Sequence, residues 1–427
     1  MRINKIILIL LISIMTFFFG CDLDIDNPNS PTEEAIKSYD GLVLVGIGLQ
    51  ARLSQGIGQT VTVTGAVSGE TSPVIAYLGY QPLRKYTDNS ARIPLEKDNT
   101  YARILWREQY RIVKTANDIL ISINSVAMSD ASRRSFIALA NVGKVMAFYV
   151  IMHNWEKLPI YTNTDHPEFV DRNAAVDECI SLLNDAEAQL SGITIPDDFQ
   201  DNVLGTGFDL VNLVQAYKAR IYLMDSEYGN AAAAAGKVTA EAQFVYAEGV
   251  GLNPLYNHFT QSYLTKGMAY WADDAEPGDL RVPATVDMLD GEVRYGDDSV
   301  YAIIKYNTPS APFNIFTLNE MTLIKAECYA RGGGGDPEAE VNKIRSAAGL
   351  TAFDGSTSIL EEIFKQRFYE LYLTGQHLEN FRRFENDGIA YVDNLFEAQL
   401  AHYWLVYVDW EIDKNPNCPP QQTRIDL

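Results

Sequence analysis

The chain has 427 residues, of which 47% are hydrophobic and 21% are charged, so it can bury a large core and is not a disordered polymer. Its formal net charge is -22, which argues against nucleic-acid binding because contacts to phosphates require clustered Lys and Arg. An acidic surface suits neutral ligands such as glycans, although it does not identify them.

The first twenty residues have the pattern of a bacterial secretion signal. Arg2 and Lys5 precede an apolar run over 6–19, which is too short to cross a bilayer as a helix. Gly20 and Cys21 follow, and a small residue before a Cys at this place is typical of lipoprotein cleavage sites. We therefore expect a signal peptide and a lipid anchor on Cys21. The alternative is an ordinary secretory signal with an incidental Cys.

Residues 21–40 are predicted to form the lipidated end and a tether. The segment is acidic and contains the turn-forming pairs Asn27-Pro28 and Ser30-Pro31. Its spaced Asp residues resemble a calcium loop but lack the Gly that the sharp turn of such a loop needs. We expect neither a metal nor a cofactor here or elsewhere in the chain.

From residue 41 to residue 427 the pattern indicates a single, mainly α domain. Apolar residues recur at three- and four-residue spacing in 105–123, 176–190 and 210–224, which predicts amphipathic helices. The segment 136–152 is apolar almost all round and predicts a buried central helix. Short turns between helices predict helix pairs like those of tetratricopeptide proteins, although no strict repeat is visible.

Two segments, near 58–100 and 255–312, are rich in Gly, Pro, Thr, Tyr and Asp and show little helical period. Long irregular segments in compact proteins often carry function. Aromatic rings on loops can cover the flat faces of sugars. Trp271, beside Asp273 and Asp274, is the best single candidate, and local packing is the alternative for each ring. The candidate ligand-binding residues are Tyr77, Tyr80, Tyr86, Tyr270, Trp271 and Tyr295.

Helix boundaries are clearest in the C-terminal third. Asp336 is a plausible N-cap, and Pro337 suits the first helical position that follows it. Gly349 then ends this helix. Six charged residues of the C-terminal third lie on or beside apolar helix faces, where opposite charges usually pair across packed helices. We predict structural ion pairs for Glu320, Glu327, Arg345, Arg367, Glu370 and Arg382.

Four C-terminal stretches, over 318–327, 341–350, 363–384 and 411–417, resemble the SusD/RagB family of outer-membrane nutrient-binding lipoproteins. The first carries a Glu followed by Leu-Ile and Ala-Glu, and the last reads Glu-Ile-Asp-Lys-Asn-Pro-Asn. The pattern departs from the family at Thr317, Gln366 and His377, where Arg, Glu and Arg are usual. The resemblance implies a SusD-like fold built on tetratricopeptide-like helix pairs with long loop-rich segments.

The resemblance also implies a function without catalysis. A protein of this family would sit lipid-anchored on the outer membrane, bind a glycan or a peptide, and deliver it to a SusC-like TonB-dependent β-barrel transporter. The sequence itself contains no H-E-x-x-H or G-x-S-x-G motif, and no residue is predicted to be catalytic. Two alternatives remain open. One is a helical lipoprotein glycosidase that uses two carboxylates, and the other is an assembly scaffold.

Overall fold

The computed structural model describes residues 35–73, 95–247, 251–261, 265–289, 293–295, 298–392 and 403–420. The predicted signal peptide, Cys21 and most of the predicted tether lie outside these residues, as do Tyr77, Tyr80 and Tyr86.

The described residues are mainly helical, as the sequence predicts. Short helical segments also occur at Asp197–Phe199, Pro254–Tyr256, Ala269–Asp273, Arg281–Thr285 and Asp409–Lys414. The helices of eight or more residues are α1 (Tyr39–Val67), α2 (Thr100–Ser122), α3 (Asp130–Asn154), α4 (Arg172–Leu190), α5 (Leu210–Met224), α6 (Tyr228–Ala235), α7 (Leu318–Ala330), α8 (Pro337–Ala347), α9 (Ile359–Glu370) and α10 (His377–Phe384).

Local capping explains where most of these helices begin. An oxygen of the N-cap side chain accepts a hydrogen bond from a backbone N–H of the first turn, which would otherwise lack a partner. Asp336 is one such cap and accepts from the N–H of Ala339, as predicted from the Asp-Pro pair. The caps are Ser38, Asn99, Ser129, Asp171, Asp209, Thr317, Asp336 and Ser358.

The helices form a continuous stack in which each packs on its neighbour in the chain, from α1 through α8. α7 also packs against α9, and α10 returns to contact α1 and α3. Helix α3 is long and apolar enough to cross a membrane, but 83% of its most apolar window is buried inside the protein. It is therefore the buried central helix that its sequence predicts.

A small antiparallel sheet lies beside this stack. Its strand order is β1-β3-β6-β4, and β5 also pairs with β6. A separate two-stranded sheet pairs β2 with β7. The strands are β1 (Thr71–Pro73), β2 (Ala242–Phe244), β3 (Thr265–Met268), β4 (Val286–Asp287), β5 (Val293–Tyr295), β6 (Asp298–Ile303) and β7 (Phe313–Phe316).

The two segments predicted to be irregular are therefore partly regular. Residues 58–67 continue helix α1, contrary to the predicted start of the first segment. The hydroxyls of Thr62 and Thr64 donate to the carbonyl oxygens of Gly58 and Thr60, so this Gly- and Thr-rich stretch stays helical within the core. Most strands of the five-stranded sheet come from the second segment, whose short strands carry no helical period.

Candidate functional site

A buried cluster of charged side chains surrounds Glu327 on α7. Its carboxylate is fully buried and lies 2.9 Å from the guanidinium of Arg383, 3.3 Å from Arg331 and 3.6 Å from Arg367. Burial raises the pKa of Glu327, but Arg383 and Arg367 outweigh it and hold that pKa below the usual value. The carboxylate therefore stays charged and fastens α7 to α9 and α10.

A second buried pair joins α5 to α7. Arg220 binds both carboxylate oxygens of Glu320, at 2.6 and 2.7 Å, and also donates to the carbonyl oxygen of Ile315 at 2.8 Å. Burial lowers the pKa of Arg220, and Glu320 more than compensates and raises it. Such bidentate geometry fixes the relative position of two helices.

The remaining predicted ion-pair residues also have charged partners. Glu370 lies 3.7 Å from Arg281 and accepts a hydrogen bond from Asn319. Arg382 lies 3.3 Å from Glu379 and donates to the backbone carbonyl of His153 at 2.8 Å. The side chains of Glu370 and Arg382 are only 15% and 4% exposed, so both ion pairs lie between packed elements.

The predicted ligand-binding residue Trp271 lies in the core, where its side chain has no exposed surface. Its side chain is 0% exposed and stacks on Tyr372 with ring centroids 4.0 Å apart. Its indole N–H donates to the carbonyl of Phe368 at 3.3 Å. Tyr270 is half-buried and its hydroxyl donates to the carbonyl of Gly69. Tyr295 ends β5, and its side chain lies outside the described atoms.

Glu70 joins the small sheet to the turn between α9 and α10. Its side chain accepts from the backbone N–H of Leu373 at 2.8 Å and lies 3.2 Å from Nδ1 of His377. Its backbone carbonyl accepts from the hydroxyl of Tyr372 and from the N–H of Met268. His377, where the family pattern favours Arg, is thus buried beside a carboxylate.

A cleft of about 380 Å³ opens between the end of the short helix Ala269–Asp273 and the first turn of α9. Its lining combines carboxylates, hydroxyls, two cations and two aromatic rings. Asp274, beside the predicted Trp271, lies at its edge and is exposed. The lining residues are Asp274, Glu276, Arg345, Thr351, Ala352, Phe353, Asp354, Ser356, Thr357, Glu361, Glu362, Lys365 and Tyr391.

Arg345 forms the floor of this cleft. Its guanidinium lies 2.6 Å from Glu362 and 2.7 Å from Glu276, and it also donates to the carbonyl of Thr351. Lys365 reaches Glu276 at 3.7 Å. Arg345 is thus one of the predicted ion-pair residues, and its pairs hold two of the cleft's carboxylates in place.

The mouth of the cleft keeps its polar groups exposed. Hydrogen bonds from the side chain of Ser356 and then from its backbone N–H lower the pKa of Asp354. Burial and then the neighbouring Asp273 raise the pKa of Asp274. Phe353 is half-buried beside them. Exposed carboxylates and hydroxyls can accept the hydrogen bonds that sugar hydroxyls donate, and an aromatic face covers a sugar ring.

No pattern in the sequence indicates this cleft. Its lining comes from residues 274–276, 345–365 and 391, so the tertiary fold alone brings them together. The pairing of Arg220 with Glu320 and of Arg383 with Glu327 likewise depends on the tertiary fold and has no signal in the sequence. Within the described residues, no group of three or more His, Cys, Asp or Glu side chains could hold a metal ion.

Comparison with known proteins shows the fold. No family model and no curated protein matches the chain. Among solved structures, NanU of B. fragilis is 15% identical with a TM-score of 0.69, covering 92% of this chain and 99% of that one. A laminarin-binding SusD-like protein is 16% identical with a TM-score of 0.69, covering 90% and 99%. A SusD superfamily protein from Bacteroides vulgatus is 15% identical with a TM-score of 0.66, covering 90% and 98%.

Proposed function

The chain has the SusD-like fold over about nine-tenths of its length, and from this premise we propose that it binds a glycan at the cell surface without altering it. The observation that supports the proposal most is the match to a protein described as laminarin-binding. The cleft beside α9 is the proposed site, because its exposed oxygens and half-buried aromatic ring suit a polyhydroxylated ligand.

The proposal includes a cellular setting. The protein would be anchored to the outer membrane through a lipid on Cys21, would face the exterior, and would pass its ligand to a SusC-like TonB-dependent β-barrel transporter. The support for the anchor is the signal-like start of the sequence followed by Gly20-Cys21. Replacing Cys21 with Ser should release the protein from membranes, and co-purification without any barrel protein would contradict the transporter pairing.

Binding is tested by calorimetric titration of neutral oligosaccharides and of peptides into the protein. We expect at least one oligosaccharide class to bind and the peptides not to bind. The double substitution Asp274→Asn/Glu361→Gln should weaken binding about tenfold, since it removes two charged hydrogen-bond acceptors. The matched control is Asp165→Asn/Asp177→Asn, which neutralises two exposed carboxylates outside the cleft lining. Equal loss in both variants would contradict the cleft assignment.

A glycosidase is a second candidate function because one carboxyl of the cleft, that of Asp274, has a raised pKa, as a general acid requires. Two of the other carboxylates, Glu276 and Glu362, are paired with Arg345. Mass spectrometry of the recovered oligosaccharide separates the two functions. An unchanged ligand supports binding alone, whereas shortened products that disappear in Asp274→Asn would establish hydrolysis.

A further inference from the structure

A second concave surface, separate from the cleft beside α9, lies between the outer faces of α1 and α2. This groove has a volume of about 930 Å³. Its lining includes four cations and one carboxylate, in a chain with 34 basic and 56 acidic residues. The charged lining residues are Lys37, Arg52, Arg111, Lys114 and Asp118. We call this surface the basic groove.

The basic groove also exposes large apolar side chains. Leu44 is 67% exposed and Ile121 is 77% exposed, and both line the groove. The flanking cations are well exposed, with Lys114 at 73% and Arg111 at 51% of the side chain, and each also pairs with a carboxylate of its own helix, Lys114 with Asp118 and Arg111 with Glu108. Exposed aliphatic side chains among Lys and Arg are the composition of surfaces that rest on anionic membranes.

The position of the basic groove along the chain favours a membrane over other partners. Ile36 and Lys37, at the start of the described residues, form one end of the groove. Even at full extension, residues 22–34 would span only about 45 Å. A lipid on Cys21 would therefore keep the groove close to the membrane surface.

We propose that the basic groove docks on the phosphate-bearing headgroups of the membrane that holds the anchor, an inference that rests on the proposed lipid anchor at Cys21. The four cations outnumber the two carboxylates beside them, Asp118 and Glu108, and this excess of positive charge attracts phosphate, while Leu44 and Ile121 enter the headgroup layer. Docking fixes the orientation of the helical stack relative to the membrane, and the cleft beside α9 shares no lining residue with the groove.

The test uses the full lipid-anchored protein in vesicles, with a fluorophore in the groove. Ser125, an exposed lining residue, is replaced by Cys for labelling, and Cys418 is replaced by Ser. The remaining Cys179 and Cys328 are buried. A second preparation carries the label at Ala233→Cys, on the exposed side of α6. Quenching by aqueous iodide is then compared in phosphatidylcholine vesicles with and without phosphatidylglycerol.

We expect the label at position 125, and not the label at 233, to be shielded from iodide when phosphatidylglycerol is present. Each Lys or Arg at an anionic surface contributes about fivefold to binding. Arg111→Glu/Lys114→Glu should therefore lower docking by about 25-fold or more and remove the shielding. The matched control Lys237→Glu/Lys343→Glu reverses two exposed cations outside the groove and should leave the shielding intact.

Three results would overturn the inference: equal quenching in both vesicle types, shielding that survives reversal of Arg111 and Lys114, or shielding already present in detergent without lipid. The last result would assign the groove to an acidic part of the same chain, since residues 22–34 include five acidic and no basic residues. Mass spectrometry separates this failure from that of the proposed function: a protein without lipid on Cys21 refutes the anchor, whereas an anchored protein with an unshielded label refutes only the docking.

Discussion

The buried ion pairs of the helical stack and the cleft beside α9 contain the same kinds of residue, yet the fold uses their charges differently. Glu327 and Glu320 are almost completely buried and face one or more guanidinium groups. Asp274 and Asp354 are exposed at the mouth of the cleft. Residue type therefore does not distinguish the buried charges of the helical stack from the exposed charges of the cleft; burial and partner do. Arg345 belongs to both regions, since it is buried and holds the cleft floor.

The largest expected effect comes from removing one partner of a buried ion pair. Arg220→Met should lower the free energy of unfolding by about 3–5 kcal/mol, because it leaves the buried carboxylate of Glu320 without its guanidinium. Urea denaturation measures the change. The double variant Arg220→Met/Glu320→Leu should recover much of the loss, since it removes the unpaired charge as well. A single variant as stable as the wild type would contradict the structural role of the pair.

Substitutions at Trp271 test whether this predicted ligand-binding residue stabilises the core. Trp271→Ala should cost about 3–5 kcal/mol of folding free energy, as expected when a large buried aromatic side chain is truncated. Trp271→Phe should cost less because it keeps a ring against Tyr372. Both effects are measured by denaturant unfolding. If Trp271→Ala kept full stability and lost glycan affinity, the core assignment would be wrong.

His153 should make the stack sensitive to acid. Burial, the largest cause, lowers its pKa from 6.5 to about 3, so the folded state keeps this imidazole neutral while the unfolded state takes up a proton below pH about 6.5. Stability should therefore fall as the pH drops from 6.5 towards 3, by up to about 1.4 kcal/mol per pH unit. His153→Gln should flatten this slope, and the exposed control His166→Gln should not. An identical slope in all three proteins would exclude His153 as the cause.

A smaller effect concerns local capping. Asp336→Ala should destabilise the protein by about 1 kcal/mol, because the N–H of Ala339 loses its acceptor at the start of α8. Asp336→Asn should retain most of the stability. Thermal unfolding of the two variants measures the difference, and equal midpoints for Ala and Asn would show that the cap contributes nothing.

Features encoded locally were predictable from the sequence. Helix α8 begins at Asp336-Pro337 because Asp336 caps the first turn and Pro337 has a fixed φ angle suited to the first helical position. It ends before Gly349, which adopts a φ of +77° that glycine allows. Residues 58–67 of α1 were predicted to be irregular because the segment that they begin is rich in Gly and Thr and has little helical period. Gly and Thr are also weak helix formers. Burial in the core and hydroxyl bonds to the preceding turn outweigh that preference.

Features that depend on distant contacts were not predictable. Trp271 stacks on Tyr372, which is 101 residues further along the chain. Its neighbours Asp273 and Asp274 therefore suggested an exposed loop where the fold places a core residue. The cleft shows the same limit. Its floor joins Glu276 to Arg345 and Glu362, and the sequence spacing of these residues carries no signal of their meeting.

The most direct test of the account measures stability and ligand affinity on the same set of variants. Asp274→Asn/Glu361→Gln, at the cleft, should change the unfolding free energy by less than about 0.5 kcal/mol and weaken glycan binding about tenfold. Arg331→Lys, in the buried cluster around Glu327, should lower stability and leave the affinity of the folded protein unchanged. The reverse pattern, with the cleft variant unstable but fully binding and the Arg331→Lys protein stable but unable to bind, would contradict the division between structural and ligand-facing charges.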